Sequence, residues 1–216
     1  ASGGEFRANT AWWANGGGAL AGTGAVLTDM VVQENSALAG GGGIMVASGD
    51  LTMSNTNVIS NSATAGGGAY VPDGNVYCDG GSVSGNRAGS AGGGLYVIDL
   101  VTVPPTPPQG MLYITGTQFL SNTTSGGDGG GAYAQLLAQV SGAYFYHNVS
   151  GQAGVGSGGG ILVSSGPLIV TDTQFISNSS ALYGGAVYTL WGPSAVSNSR
   201  FEENRCGVYG GALALG

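Results

Sequence analysis

The chain has 216 residues, of which 45 are glycine, 42% are apolar and only 7% are charged. Its four basic residues are all arginine and the net charge is -7, so it lacks the clustered Lys and Arg that nucleic-acid binding needs. Glycine follows no Gly-X-Y period, which excludes collagen, and no apolar run reaches the roughly 18 residues of a membrane helix. We expect one domain over residues 1–216. The chain begins at Ala1 and shows no signal peptide, which favours a mature or excised segment and leaves secretion open.

An internal repeat organises the whole sequence. An aromatic or β-branched residue, two further residues, Asn, a Gly pair and an apolar run recur eight times. The Asn of each repeat is Asn9, Asn35, Asn61, Asn86, Asn122, Asn148, Asn178 and Asn204. The intervals are 26, 26, 25, 36, 26, 30 and 26 residues. A base period near 26 with two insertions is typical of one structural coil per repeat.

Each repeat begins, in chain order, with two short strands separated by a turn. The column eight residues before the Asn is apolar, and the column six before it holds only Gly, Asp and Asn. These three residue types tolerate a left-handed backbone. Three residues before the Asn, a Phe or Val column is predicted to fill the core: Phe6, Val32, Val58, Val83, Phe119, Phe145, Phe175 and Phe201. The apolar residues follow a period of two on each side of the turn, and no segment sustains a helical period.

The Asn column follows the second strand, and only small residues lie two positions after it. Stacked Asn side chains can form an amide ladder that satisfies backbone groups where a strand ends. We therefore predict that the Phe and Asn columns are scaffold rather than reactive groups.

A Gly pair and a third apolar strand complete each repeat. The pairs begin at Gly17, Gly42, Gly67, Gly93, Gly130, Gly159, Gly184 and Gly210. The next strands carry an apolar, Tyr-bearing column: Leu20, Met45, Tyr70, Tyr96, Tyr133, Leu162, Val187 and Leu213. A strand cannot bury both faces in one thin coil, so we predict that this column forms an outer stripe suited to an interface. The alternative is that loops cover it.

Short strands, a turn residue at a fixed place and this period predict an all-β parallel solenoid of about eight coils. Coils would stack about 4.8 Å apart, with equal side chains over one another. No helix or charged cap is visible at either end. The open coil edges would then continue into a larger protein or stack on further copies as a filament.

The repeat resembles those of the chlamydial polymorphic outer membrane proteins. The resemblance rests on Phe-x-x-Asn followed by Gly-Gly-Ala-(Ile/Leu/Val), as in "FISN" from Phe175 with "GGAV" from Gly184, and "FEEN" from Phe201 with "GGAL" from Gly210. It covers nearly the whole chain, although early repeats replace Phe by Val. It implies a right-handed parallel β-helix at a cell surface, in adhesion or an extracellular matrix. No part of the chain resembles the membrane barrel of bacterial members.

Several residues are candidates for a chemical role. Cys78 and Cys206 lie four or five coils apart, about 20 Å at strand spacing and beyond disulfide reach, so we predict free thiols or a partner outside the segment. The acids are scattered, so no catalytic, cofactor or metal site is predicted. A loop calcium site around Asp73, Asp79 or Asp128 is the alternative.

Three further features concern the surface. The segment Val103–Gly110, "VPPTPPQG", is predicted to be a surface loop, either a tolerated insertion or a polyproline or glycosylated patch. His147 lies in a polar column and is predicted to be solvated. The sequons at Asn122, Asn148 and Asn178 fit N-glycosylation if the Asn column faces outward, and the ladder if it faces inward.

These patterns predict an extracellular or cell-surface structural protein that forms a stiff rod or filament. Its partners would be copies of itself, head-to-tail or lateral, or neighbouring coils, with glycans as further ligands and neither nucleic acid nor membrane insertion. An adhesin segment that binds host protein or glycan through its loops is the alternative. A polysaccharide lyase or hydrolase is the third class, although it would need clustered carboxylates.

Overall fold

The computed structural model describes residues 1–100 and 109–216, and all regular elements in this part of the chain are β-strands. The strands are short because a turn or a Gly-rich corner interrupts the backbone every few residues. Each coil contributes one strand to each of four faces, which we number in chain order within a coil. The two strands before each Asn lie on faces 1 and 2. The short strand after the Asn lies on face 3, and the apolar strand after the Gly pair lies on face 4.

Face 1 contains the first half of Ala25–Gln33, then Leu51–Ser54, Val76–Asp79, Met111–Thr115, Leu137–Ser141, Leu168–Thr171 and Ser194–Ser197. Face 2 contains the second half of Ala25–Gln33, then Asn57–Ile59, Ser82–Ser84, Gln118–Leu120, Tyr144–Tyr146, Gln174–Ile176 and Arg200–Glu202. Ala25–Gln33 pairs with Leu51–Ser54 on face 1 and with Asn57–Ile59 on face 2, and so joins the two faces into one 14-stranded sheet. The first strand, Ser2–Arg7, pairs along both halves of Ala25–Gln33.

Face 3 contains Thr10–Ala11, Ser36–Ala37, Ser62–Ala65, Arg87–Ala91, Thr123–Thr124, Val149–Ser150, Ser179–Ser180 and Arg205–Cys206. Face 4 contains Ala19–Ala21, Ile44–Val46, Ala69–Val71, Leu95–Val97, Ala132–Ala134, Ile161–Val163, Val187–Thr189 and Leu213–Leu215. Each of these two faces is an eight-stranded sheet. Every strand pairs in parallel with the strand one coil away, so the chain is the parallel β-solenoid of about eight coils that the repeat predicts.

The core is a narrow apolar column inside the coils. The column of Phe119, Phe145 and Phe175 is fully buried, as are Leu112 of face 1 and Ile161 of face 4. The column eight residues before the Asn is buried from Leu27 to Val170, and its last member, Val196, is exposed on the final coil. Since each inward side chain meets its counterpart in the next coil, the core is continuous along the axis.

The last two Gly pairs lie in a different register from the one predicted. Ile161 pairs with Val187, and Val187 with Leu213, so Gly185–Ala186 and Gly211–Ala212 lie over Gly159–Gly160. Gly184 and Gly210 instead continue a separate left-handed column that includes Gly158. The Tyr-bearing column therefore ends with Tyr188 and Ala214, and the assignment of Val187 and Leu213 to it is wrong.

The predicted Pro-rich loop, Val103–Gly110, lies outside the described residues except for its last two. Of these, Gly110 donates its N–H to the Gly74 carbonyl at 3.0 Å. Within the described ranges, no helix of the length and apolarity needed to cross a bilayer is found.

Candidate functional site

The Asn column forms a hydrogen-bonded ladder along seven steps from Asn9 to Asn204. The Oδ1 of Asn148, for example, accepts from the backbone N–H of Asn122 at 3.0 Å and from its Nδ2 at 2.9 Å. The Nδ2 of Asn148 donates to Asn178 Oδ1 and to the Phe119 carbonyl, both at 2.9 Å. Each inner amide thus makes four hydrogen bonds while fully buried, which is the condition for placing a polar group in a core.

The ladder leaves no room for glycans at the three sequons. Asn122, Asn148 and Asn178 are each 0% exposed, and each Nδ2, the atom that would carry a sugar, already donates two hydrogen bonds. N-glycosylation at these positions is incompatible with the folded coil. The structure therefore corrects that interpretation of the sequons and places all three Asn in the scaffold.

The Phe column stacks directly beside the ladder. The Phe119 and Phe145 ring centroids are 4.6 Å apart, those of Phe145 and Phe175 are 4.7 Å apart, and Phe201 continues the stack at 5.0 Å. The same column is filled by Val32, Val58 and Val83 in the earlier coils, while Phe6 and Phe201 are half-buried at the two ends.

The turn between faces 1 and 2 is left-handed in every coil. All eight residues six positions before the Asn have φ between 47° and 67°. Asp29, Asn55, Asp172 and Asn198 adopt it without being glycine, which explains why the sequence allows only Gly, Asp and Asn there.

A second left-handed column precedes each Asn directly, and the sequence did not indicate it. Its φ values lie between 54° and 63°. The residues are Ala8, Glu34, Ser60, Gly85, Ser121, His147, Ser177 and Glu203. These residues share no chemical property, so residue type does not indicate the left-handed conformation. Ladder hydrogen bonds to the following Asn hold the backbone in it. His147 is exposed, with its ring 4.0 Å from that of Tyr146.

The predicted outer stripe is only partly open. Leu20 is exposed, Met45 and Leu162 are buried, and Tyr70, Tyr96 and Tyr133 are half-buried. Tyr70 and Tyr96 stack with centroids 5.2 Å apart, and burial raises the pKa of Tyr96 to about 12. The Tyr70 ring lies against Gly40, in the corner between faces 3 and 4, so loops of that corner cover much of the stripe.

A groove opens on the outside of face 3 near the first coils. It has a volume of about 370 Å³ and is lined by Trp12 and Leu38 together with Thr10, Ser36 and Ser62, which lie in register on neighbouring strands. Trp12 is 76% exposed, and none of the residues that line the groove is charged. The repeat gives no sign of this groove, because Trp12 lies outside every repeated column.

Both cysteines are free thiols in the structure. Cys78 is fully buried, which raises its pKa to about 12, while Cys206 is half-buried in the last coil. A thiolate is therefore strongly disfavoured at Cys78.

The acids proposed for calcium do not converge. Asp73 accepts from Ser48 Oγ at 3.1 Å in the corner between faces 4 and 1, and Asp79 ends a strand of face 1. Asp128 lies in the corner between faces 3 and 4, where its Oδ1 accepts the Ser157 N–H at 2.7 Å and burial raises its pKa. Within residues 1–100 and 109–216, no group of three or more His, Cys, Asp or Glu could hold a metal.

The first and last coils carry the two ends of the Asn ladder. At the first edge, Asn9 donates to Asn35 and leaves its own Oδ1 facing outward. In the last coil, Asn204 Oδ1 accepts from the backbone N–H and the Nδ2 of Asn178.

This geometry defines the chain as a parallel β-solenoid repeat protein whose repeated residues are structural. Residues 172–190, which run from a left-handed turn through Phe175 and Asn178 to face 4, match the Chlamydia polymorphic membrane protein repeat. The chain thus carries a repeat of the polymorphic membrane protein type within its β-helix. No match was found among curated proteins or among solved structures.

Proposed function

We propose that this chain is a structural β-helix of the cell surface or extracellular space, which forms a stiff rod and extends by stacking coil on coil. The observation that carries the proposal is the continuity of the Asn ladder from the first coil to the last, beside a Phe stack that runs from Phe119 to Phe201 over the last four coils. A core without interruption resists bending, because any bend separates stacked rings and buried hydrogen bonds at once.

A structural role is also favoured over catalysis by the distribution of charge. The carboxylates of Asp73, Asp79 and Asp128 lie in different parts of the coil. Glycoside hydrolysis or elimination would need paired carboxylates across one sugar-binding site. The proposal therefore assigns no reaction to the chain.

Rod formation can be tested on the purified chain by small-angle X-ray scattering and negative-stain electron microscopy. Eight coils at strand spacing give a rigid particle about 38 Å long, and concentrated samples should contain filaments one coil wide. A dilute monomer whose scattering shows a flexible chain would contradict the rod. An absence of filaments at any protein or salt concentration would contradict extension by stacking.

A second function, glycan binding by an adhesin, is favoured by the groove at Trp12. An exposed indole beside a row of hydroxyls offers an apolar platform and hydrogen-bond partners, which suit the flat face and the hydroxyls of a neutral sugar. Titration with cellotetraose, followed by tryptophan fluorescence, should show saturable binding that Trp12→Ala removes and that Trp191→Ala, a control whose indole is 68% exposed, preserves. Equal signals in both variants would contradict this function.

A further inference from the structure

Most of the negative charge of the chain surrounds face 1. Six of the eleven acidic residues lie at the two corners that bound this face. They are Asp50, Asp73 and Asp99 at the corner with face 4, and Asp29, Asp79 and Asp172 at the corner with face 2.

No basic side chain of the described residues lies on face 1 or at its corners. The chain has no lysine, and its four arginines lie on faces 2 and 3: Arg7, Arg87, Arg200 and Arg205. The five remaining acids and these four arginines give a net charge of -1, so face 1 and its corners hold six of the seven net negative charges. The cross-section of the solenoid is therefore electrically lopsided.

An apolar stripe runs along the outside of face 1 between the two acidic corners. The strands of this face alternate between buried and outward side chains, and three of four consecutive outward residues are apolar: Tyr77, Tyr113 and Ile169, with Gln139 between the last two. Tyr77 is 37% exposed and Ile169 38%, although each has a paired strand on both sides. Their exposure thus belongs to the outer surface of the inner coils.

The aromatic and acidic features meet at Tyr77. One face of its ring stacks on Tyr113, with centroids 4.9 Å apart and planes within 3°, and its register partner on the other side is the small Thr52. Asp50 precedes Thr52 by two residues, Asp79 follows Tyr77 by two, and both are exposed. Burial and the negative charge of Asp50 raise the pKa of the Tyr77 phenol. An aromatic ring beside carboxylates suits an ammonium or guanidinium group.

From these observations we propose that face 1 docks a basic polypeptide of another protein, whose Lys or Arg side chains lie against Tyr77 and reach the acidic corners. Charge complementarity selects this partner, because a surface with six carboxylates and no basic side chain attracts a cationic segment and repels an acidic one. This docking goes beyond the structural rod, which does not require a ligand on face 1.

Two synthetic peptides of equal charge serve as probes. One contains three repeats of Lys-Val-Lys-Ser, and the other three repeats of Lys-Ser-Lys-Ser. Both should bind the unaltered chain at about 0.1 M salt and lose affinity as salt is added, since exposed charges are screened. The valine peptide should bind at least about threefold more tightly, because its apolar side chains cover the stripe. Fluorescence anisotropy of the labelled peptides measures both affinities.

Asp50→Asn combined with Asp79→Asn tests the acidic corners. Asparagine keeps an oxygen that can accept the Asn75 N–H, as Asp50 does at 2.9 Å. The double variant should bind both peptides about tenfold more weakly. Glu34→Gln combined with Glu203→Gln is the matched control, since it removes two exposed charges from the corner between faces 2 and 3. Its affinity should stay within about twofold of the unaltered chain.

Tyr77→Ser tests the apolar stripe separately. It should abolish the preference for the valine peptide while keeping salt-dependent binding, because the carboxylates remain. Tyr146→Ser is the control, since Tyr146 is a half-buried outward residue of face 2, and it should keep the preference. Thermal melting verifies that all variants fold.

Three results would overturn docking of a basic partner. The first is that neither peptide binds at about 0.1 M salt. The second is an equal loss in the Asp and Glu double variants, which would show attraction to the net charge rather than to face 1. The third is self-association of the unaltered chain that the Asp variant abolishes, which would assign face 1 to Arg87 of a second copy. Rod formation is measured without peptide, so it can stand or fail independently.

Discussion

At the scale of single residues, the ladder Asn are the most constrained positions of the chain. Each amide uses both lone pairs of its oxygen and both N–H groups, and none of these atoms reaches water on the inner coils. No other side chain can, in the same space, accept two hydrogen bonds from the Asn of the preceding coil and donate one to the next Asn and one to a backbone carbonyl. The sequence keeps Asn in all eight repeats for this reason.

Asn148→Ala should lower the free energy of unfolding by about 3 kcal/mol or more, because it strands two donors of Asn122 and the Phe119 carbonyl in the core. Asn9→Ala is the control in the same column, since the side-chain oxygen of this exposed first rung receives no hydrogen bond from a described residue, and it should cost less than about 1 kcal/mol. Urea unfolding of the two variants gives both values. Equal losses would show that the ladder contributes nothing beyond packing.

The contribution of Asp128 to the free energy of unfolding depends on pH, with a sign opposite to that of an ordinary surface carboxylate. Burial raises its pKa, so the neutral acid is favoured in the folded state and ionisation lowers stability as the pH rises through the folded pKa. Asp128→Asn keeps an oxygen that can accept the Ser157 N–H, so it should be more stable than the unaltered chain at pH 7, with the difference shrinking toward pH 3. Melting temperatures across this range test the sign, and a difference that grows toward low pH would contradict it.

At the scale of the elements, the corner between faces 3 and 4 sets how closely coils can approach. A Cβ on Gly130 would come within 2.5 Å of the Gly159 carbonyl oxygen, and Gly17, Gly42 and Gly93 meet the same obstacle in their own coils. The obstacle is backbone, which cannot move without separating the coils. The Gly column is therefore a spacing device, in addition to its role in forming the corner.

Gly130→Ala should destabilise the chain by about 3 kcal/mol or more, because overpacking here must push a neighbouring coil away. Gly22→Ala is the matched control, since a Cβ at Gly22 meets nothing within 4 Å and its backbone is not left-handed. It should be neutral or slightly stabilising by restricting the unfolded chain. Chemical denaturation of both variants distinguishes the two positions, and similar effects would contradict the spacing role.

The repeat predicted most of these elements, and its failures have physical causes. The period of 26 residues and the Phe and Asn columns predicted the solenoid, because side chains stacked in register must repeat in sequence. The register of the last two Gly pairs was misjudged because Ala186 and Ala212 replace the second glycine; aligning the face 4 strands would have corrected it. The left-handed residue before each Asn was missed because Ala8, Glu34 and His147 share no chemical property.

The candidate surfaces were harder to predict than the scaffold. Trp12 occurs once in its column, so a comparison of repeats treats it as a departure from the pattern. In a solenoid, the repeated residues report the fold, while the unrepeated ones are where specific binding is to be sought.

At the scale of the whole molecule, stability should vary with position along the axis. Each coil contacts only its neighbours, so inner coils are held from both sides and the edge coils from one. Phe145 lies between two rings at 4.6 and 4.7 Å, whereas Phe201 has one ring neighbour, at 5.0 Å. Opening of an edge coil therefore breaks about half the contacts that opening of an inner coil breaks.

Hydrogen exchange followed by mass spectrometry should show this gradient in dilute solution. Amides around Phe145 should exchange slowest, and those around Phe6 and Phe201 fastest, since each edge coil can open without disturbing the rest. When the protein is concentrated until copies stack, protection should rise at both edges and stay constant in the middle. Protection that rises at one edge only, or on an outer face such as face 1, would show that copies associate side by side or by a different surface. Uniform exchange in the dilute sample would mean that the coils open together, which contradicts nearest-neighbour stabilisation of the rod.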